Sequence, residues 1–400
     1  MSSGEEEPIK EARGWRLNVP VWLKQPREWF VDLVYIVALL TGATVIVVPL
    51  GMGLVAFFNL GQETLFETDQ AKRLEAAKLF FTVLVALIGG PLLIWRVISA
   101  HWSATAARHQ AETDREGLYT GLFTKAVEQL GATREAKTYQ EVDDGAGGKK
   151  REAVTTTEPN LEVRLGAIYA LDRVARDSER DHWPIMQVLC SYVRNPQNSG
   201  PALLRPESAA SRSSKKYYAW LTAIKPPRVD VQAALTVIGE RLERSRKLEA
   251  DRNLRLDLRN ANLQRAVLNG GYFERAIFVE AHLDGASFDE AHLADAWFYE
   301  AHLEGGSFDR AHLDGAVFGG AHLVGASFDG AHLDGTRFFK TDLSQVESLD
   351  PVALAHALGD ASTKLPDGME RPAAWPDRVL SSDERQAWIE KSRATPPDEP

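Results

Sequence analysis

The chain has 400 residues, 44% of them hydrophobic, and 46 Lys and Arg against 56 Asp and Glu give a formal net charge of -10. That acidity, with no basic patch interleaved with aromatics, argues against direct nucleic-acid binding. The single cysteine, Cys190, excludes an internal disulfide and agrees with a reducing compartment.

Residues 1–29 read as a tail that starts acidic, Glu5 to Glu7, and then carries Lys10, Arg13, Arg16, Lys24 and Arg27. A transmembrane hairpin is expected over 30–100. Its first span, about 31–58, has one charge, Asp32, at its outer edge, with Pro49, Gly51 and Gly53 as kink points. Its second, about 79–98, runs from Leu79 to Trp95 and gains Val97 and Ile98 if Arg96 snorkels. Basic residues flank both ends, including Arg96, Arg108 and Arg115, whereas the loop has Lys72 and Arg73 with Lys78 at its edge. The positive-inside rule then places both termini in the cytoplasm of a multi-pass inner-membrane protein.

A small all-α domain is expected over 101–250. Leu161, Leu165, Ile168, Leu171 and Val174 recur at helical spacing after an Asn160 cap. Pro184 would open a second helix through Ile185, Val188, Leu189 and Tyr192, and Val231, Leu235, Ile238 and Leu242 mark a third. The stretch Glu162 to Leu171 is weakly similar to a HEAT-type helix. Two segments, 143–157 rich in Gly, Lys and Thr and 195–216 rich in Ser and Pro, read as mobile loops. The run Arg176 to His182 holds Ser, His and acids, yet its alternating charges fit a solvated helix end. Cys190 sits in an apolar helix interior and reads as packing.

From Leu256 to Gln345 the chain repeats every five residues without insertion or deletion. The central positions are Leu258, Leu263, Leu268, Phe273, Phe278, Leu283, Phe288, Leu293, Phe298, Leu303, Phe308, Leu313, Phe318, Leu323, Phe328, Leu333, Phe338 and Leu343, and from Ala261 onward a small residue stands two positions before each. Five fits neither a helix nor a plain strand, so each pentad is one side of a coil. Ser-Phe-Asp returns at Ser287, Ser307 and Ser327, so twenty residues close the coil and make it four-sided. Leu and Phe then point inward to fill a column about 20 Å long, with Ala or Gly letting the walls approach.

This pattern resembles the pentapeptide-repeat family, A(D/N)LXX, and the resemblance implies a right-handed quadrilateral β-helix. The segments Phe123 to Gly131 and Arg176 to Pro184 further resemble the linker region of membrane-anchored bacterial members. Where the family usually has Asp or Asn, this chain has His282, His302 and His322 in one column and His292, His312 and His332 in another. These six are the candidates for metal binding or pH sensing. A ladder presents imidazoles in a parallel row rather than a converging tetrahedron, and no Cys lies nearby, so no cofactor is assigned.

A C-terminal capping helix is expected within 346–400, from Asp350 to Gly359, over the Phe338 and Leu343 layer, with a loose tail from Leu365. Arg241 to Arg252 would cap the start. No phosphate loop, ligand set or nucleophile constellation occurs, so no enzyme is expected. The leading reading is a membrane-tethered scaffold for an unidentified protein partner. Fourteen acids against six Lys or Arg within 256–345, with Asp289, Asp309 and Asp329 in one column, support a second reading. Some members of the resembled family use an acidic rod to mimic DNA and occupy DNA gyrase. A metal or pH sensor built on the His ladders is a third.

Overall fold

The computed structural model describes residues 70–143 and 149–394, together with Gly51 and Val55. The expected tail 1–29 and, those two residues apart, the expected span 31–58 lie outside the described residues. The chain divides into two compact units, Met1–Glu112 and Thr113–Pro400.

Helix α1, Gln70–Leu130, is 61 residues long. It passes the expected hairpin end at residue 100 because no proline occurs between Leu92 and Leu130 to break it, and it stops at Gly131. Within 79–98 the side chains of Phe81, Val85, Leu92, Leu93, Trp95 and Val97 are exposed. Among the described residues no helix is long and apolar enough to cross a membrane.

The region 101–250 is not all helical. Strands β1, Thr133–Asp143, and β2, Lys149–Pro159, pair antiparallel from Thr133 opposite Pro159 to Asp143 opposite Lys149. Much of the expected loop 143–157 is therefore strand. Val154 and Thr155 to Thr157 are β-branched, and opposite charges face across the ribbon at Glu141 opposite Arg151 and Arg134 opposite Glu158.

Helices α2, Leu161–Asp177, and α3, Glu179–Arg194, follow. Asn160 caps α2 through the Val163 amide. Helix α3 starts at a Ser178 cap, six residues before Pro184, which lies inside the helix rather than opening it. The short α4, Pro196–Ser199, then α5, Lys215–Ala223, α6, Val229–Gly239, and α7, Glu243–Asp251, complete the set before the repeats. Ile168, Leu171, Ile185, Leu189, Leu235 and Ile238 are buried in one core that is continuous with the repeat column.

Every repeat pairs with the one twenty residues on, from Asp257 with Ile277 to His322 with Asp342, all in parallel. Each side closes with a turn in which the amide after the turn donates to the central residue's carbonyl, as Ala286 does to Leu283 at 2.9 Å. The fifth residue takes positive φ, +56° at Glu280, as a type II turn requires of its third position. Inside, Phe278, Phe298 and Phe318 stack on one side at 5.0 and 4.8 Å, and Phe288, Phe308 and Phe328 on the opposite side at 5.0 and 5.1 Å. The two Phe columns meet edge to face, 87° apart at Phe288 and Phe298, while the Leu columns fill the remaining sides. Leu283, Leu293, Leu303, Leu313, Leu323 and Leu333 are all buried.

The first coil's open edge is closed group by group. Gln232 on α6 pairs both its amide atoms with the backbone of Val267, at 2.7 and 3.1 Å. Tyr272 donates to the Gly239 carbonyl at 2.9 Å and accepts from Arg241 at 3.0 Å. Arg194 meets the Asp257 carboxylate at 3.0 Å, and Asn262 donates to the Gly200 carbonyl at 3.2 Å. An edge so covered offers no unpaired strand.

At the other end the column runs past residue 345. Ser327 bridges Ser348, Arg337 bridges Leu358 and Asp342 bridges Lys364, so the register lengthens by one residue before helix α8, Pro351–Ala355, and by one more after Leu358. Asp350 caps α8 as expected, but the helix is only five residues long. Gly359 is not its terminator; it lies against the Trp375 ring. The segment after Leu365 is bound rather than loose. The Trp375 indole donates to the Ala357 carbonyl at 2.7 Å, and buried Asp360 accepts from the Leu380 amide at 2.9 Å and from Arg385 on α9, Ser382–Ala394, at 3.0 Å.

Candidate functional site

The twenty-residue register stacks the six histidines. Ring centroids lie 4.7 Å apart for His282 and His302, 4.8 Å for His302 and His322, 4.8 Å for His292 and His312, and 4.6 Å for His312 and His332. Tyr272 extends the second stack below His292 at 4.5 Å, with Arg246 over its other face. Partial burial, and then the neighbouring imidazoles, hold His292 and His302 below the usual histidine range, and burial does the same for His322. At these three rungs the neutral imidazole is therefore favoured.

Asp289, Asp309 and Asp329 also fall in one column, but both Asp289 oxygens and Asp309 Oδ1 are engaged. Ser307 donates to Asp289, Ser327 donates to Asp309 at 2.5 Å, and the Asp329 amide donates to Asp309 at 3.2 Å. Asn269 ends the row, accepting from Ser287 at 2.5 Å. The acids and serines thus stitch successive coils together.

The most unusual chemistry lies on the His282 side, in residues that periodicity did not single out. Gln264, Asp284 and Glu304 each follow a central Leu and share one column. All three are buried, because the segment 200–214, expected within a mobile loop, is a strap along this side. The Leu203 amide donates to Gln264 at 2.8 Å, Arg205 meets Glu304 at 3.2 Å, and the Arg212 amide donates to Gln345 at 3.1 Å. The chain then returns along the column through α5, where Tyr217 donates to the Val324 carbonyl at 2.9 Å and the Ile224 carbonyl accepts from Arg265. Gly305 makes room for it, since a Cβ there would come within 2.8 Å of Leu221. The packing of the strap, not its composition, orders it.

Under the strap, one donor atom each from Asp284, His302 and Glu304 lies within 4.8 Å of the others. Gln264 donates to one Asp284 oxygen at 2.6 Å. The other Asp284 oxygen, Oδ1, and Glu304 Oε2 are buried without a hydrogen-bond partner. Burial, and then the facing Asp284 carboxyl, push Glu304 up to about 9. The twenty-residue spacing of Gln264, Asp284 and Glu304 was a visible signal; their burial was not.

The other groups noted in the sequence are structural. His182, in the charged run expected to be solvated, is buried, and its Nε2 lies 2.6 Å from Glu249, which also pairs with Arg241 at 3.1 Å. Cys190 is buried, which pushes its thiol up to about 12.

Eight copies of the pentapeptide-repeat family model match, over residues 257–294, 272–305 and 307–345. No curated protein matches the chain. Among solved structures it is similar to HetL, a pentapeptide repeat protein involved in heterocyst differentiation regulation from Nostoc sp. strain PCC 7120. The identity is 23% over 28% of this chain and 61% of that one, with a TM-score of 0.20. A pentapeptide repeat protein of the Arabidopsis thaliana thylakoid lumen matches at 28% identity over 28% of this chain and 79% of its own, TM-score 0.18. QnrB1, a plasmid-mediated fluoroquinolone resistance protein, matches at 16% over 34% and 70%, TM-score 0.18. The chain spans about three fifths of HetL. With the repeat matched from 257 to 345 and the same residues paired at a spacing of twenty, the four-sided column of this chain is a pentapeptide-repeat β-helix.

Proposed function

We propose that this protein is a non-enzymatic, membrane-tethered interaction scaffold that presents its β-helix in the cytoplasm of a bacterium. The observation that carries the reading is the contrast between a filled interior and the sides the strap leaves open. A column packed with Phe and Leu has no interior space for a substrate, so recognition falls to the outward positions. On the open sides Trp297 and Tyr299 are partly exposed, and Arg255 stacks over Trp297 at 4.4 Å. Aromatic and Arg side chains of this kind serve as anchors in protein interfaces.

The apolar residues exposed on α1 between Phe81 and Val97, together with the apolar run of the sequence from 31 to 58, support tethering to a lipid bilayer. The flanking basic residues favour an inner-membrane hairpin with both termini cytoplasmic. The acidic-rod reading has less support, since both Asp289 oxygens and Asp309 Oδ1 accept from Ser hydroxyls.

Two measurements test the scaffold. The full chain is expected in alkali-resistant membranes, and a reporter after Pro400 should be active only inside the cell. In detergent, crosslinking of a partner should fall when Trp297 and Tyr299 are changed to Ala. Recovery in the soluble fraction, or inhibition of gyrase supercoiling by the purified chain, would count against it.

A further inference from the structure

We propose that Asp284, His302 and Glu304 bind a divalent transition-metal ion of the zinc class beneath the strap. Two rungs of one side supply the donors: the position after the central Leu gives the carboxylates, and the position before it gives the imidazole. Their donor atoms already lie within 4.8 Å of one another. Metal–ligand bonds of about 2.0–2.2 Å place neighbouring tetrahedral ligands roughly 3.4 Å apart, so closing the set needs movement of about 1 Å.

Three observations point to a ligand rather than to a bare acidic cluster. Asp284 Oδ1 and Glu304 Oε2 are buried without a hydrogen-bond partner, in side chains only 2% and 1% exposed. Glu304 Oε2 faces His302 Nδ1 at 4.0 Å, and the buried His282 Nδ1 one rung below is also without a partner. A buried carboxyl oxygen that faces a second carboxyl is costly, and a cation between them is one answer.

Each carboxylate is held by its other oxygen: Gln264 donates to Asp284 Oδ2 at 2.6 Å, and Arg205 meets Glu304 Oε1 at 3.2 Å. One oxygen oriented and one free is the arrangement that outer partners give to metal-ligating carboxylates. A mixed nitrogen and carboxylate set suits zinc or cobalt, whereas calcium and magnesium take oxygen alone. The opposite side repeats the sequence motif at His312 and Asp314 and at His332 and Asp334, but Asp334 is exposed and meets His356 at 3.8 Å. That side is the internal control.

The test is a cobalt titration of the metal-stripped full chain in detergent, made without a histidine tag, followed by visible absorption and then displacement with zinc. One cobalt per chain is expected, with a nitrogen and oxygen ligand-field band that zinc abolishes. Asp284→Asn, Glu304→Gln and His302→Ala should each weaken binding by about 10-fold or more, and Asp334→Asn should leave it unchanged. A parent chain that shows no cobalt band at saturation overturns the proposal, whatever the variants do. So does equal binding by Glu304→Gln, or loss of binding in Asp334→Asn.

Discussion

Two sides of one column, built on the same five-residue register, have opposite chemistry. On the side of Ser287, Ser307 and Ser327, the acids Asp289 and Asp309 stay at the surface and bond to serines. On the side of His282 and His302, Asp284 and Glu304 are buried beneath a strap that brings Arg205 and takes away water. The repeat sets where a side chain points, and what lies over it sets its ionisation and its possible ligands.

The difference can be broken from the strap. Tyr217→Ala removes a buried aromatic anchor, and about 3–5 kcal/mol of stability should be lost, read by denaturant melting. Hydrogen exchange should rise over 203–212 and stay unchanged around Ser307. An equal rise on both sides would mean that the strap is not a separate layer.

Gly325 and Gly320 sharpen the contrast at matched positions, since both have positive φ, +69° and +72°. A Cβ at Gly325 would strike the Tyr217 hydroxyl, whereas at Gly320 it meets the flexible Glu300 side chain at 3.3 Å. Gly325→Ala should cost about 2–4 kcal/mol, backbone strain plus overpacking, against about 1–2 kcal/mol of strain alone for Gly320→Ala. Equal losses would show that Tyr217 gives way freely.

On the open side, Ser307→Ala should cost only about 0.5–1.5 kcal/mol, one part-buried link in the stitch between coils. The smallest effect lies at the C-terminal wrap. Glu384 accepts from Arg378 and from the Ser381 amide, which holds its carboxyl down at about 2. A depressed acid stabilises the fold above its unfolded value, about 4.3, and that contribution is lost as pH falls from there towards 2. Exchange over 382–391 should rise in that window while the strap, which Glu384 does not touch, keeps its protection.

Periodic features were legible in the sequence and singular ones were not. The burial of Phe298 and Leu303 and the stacking of His302 on His322 follow from counting by five and by twenty. The strap follows from no count. Its bonds join residues 61 apart at Leu203 and Gln264 and 133 apart at Arg212 and Gln345, and its Ser and Pro content is also that of a free loop. The Thr155 to Thr157 run is β-branched and suits a strand, yet Thr together with Gly and Lys is also the composition of a free loop, as 143–157 reads. At the C-terminus, Trp375 and Arg385 tie down a segment whose prolines suggest looseness.

The account stands most directly on whether the strap is fixed to the column. Amide exchange of the full chain, resolved at Leu203 and Arg212, reads this, since both N–H groups donate to glutamines of the β-helix. Protection close to that of the column's own amides is predicted, and exchange at the rate of an unstructured loop would contradict the account.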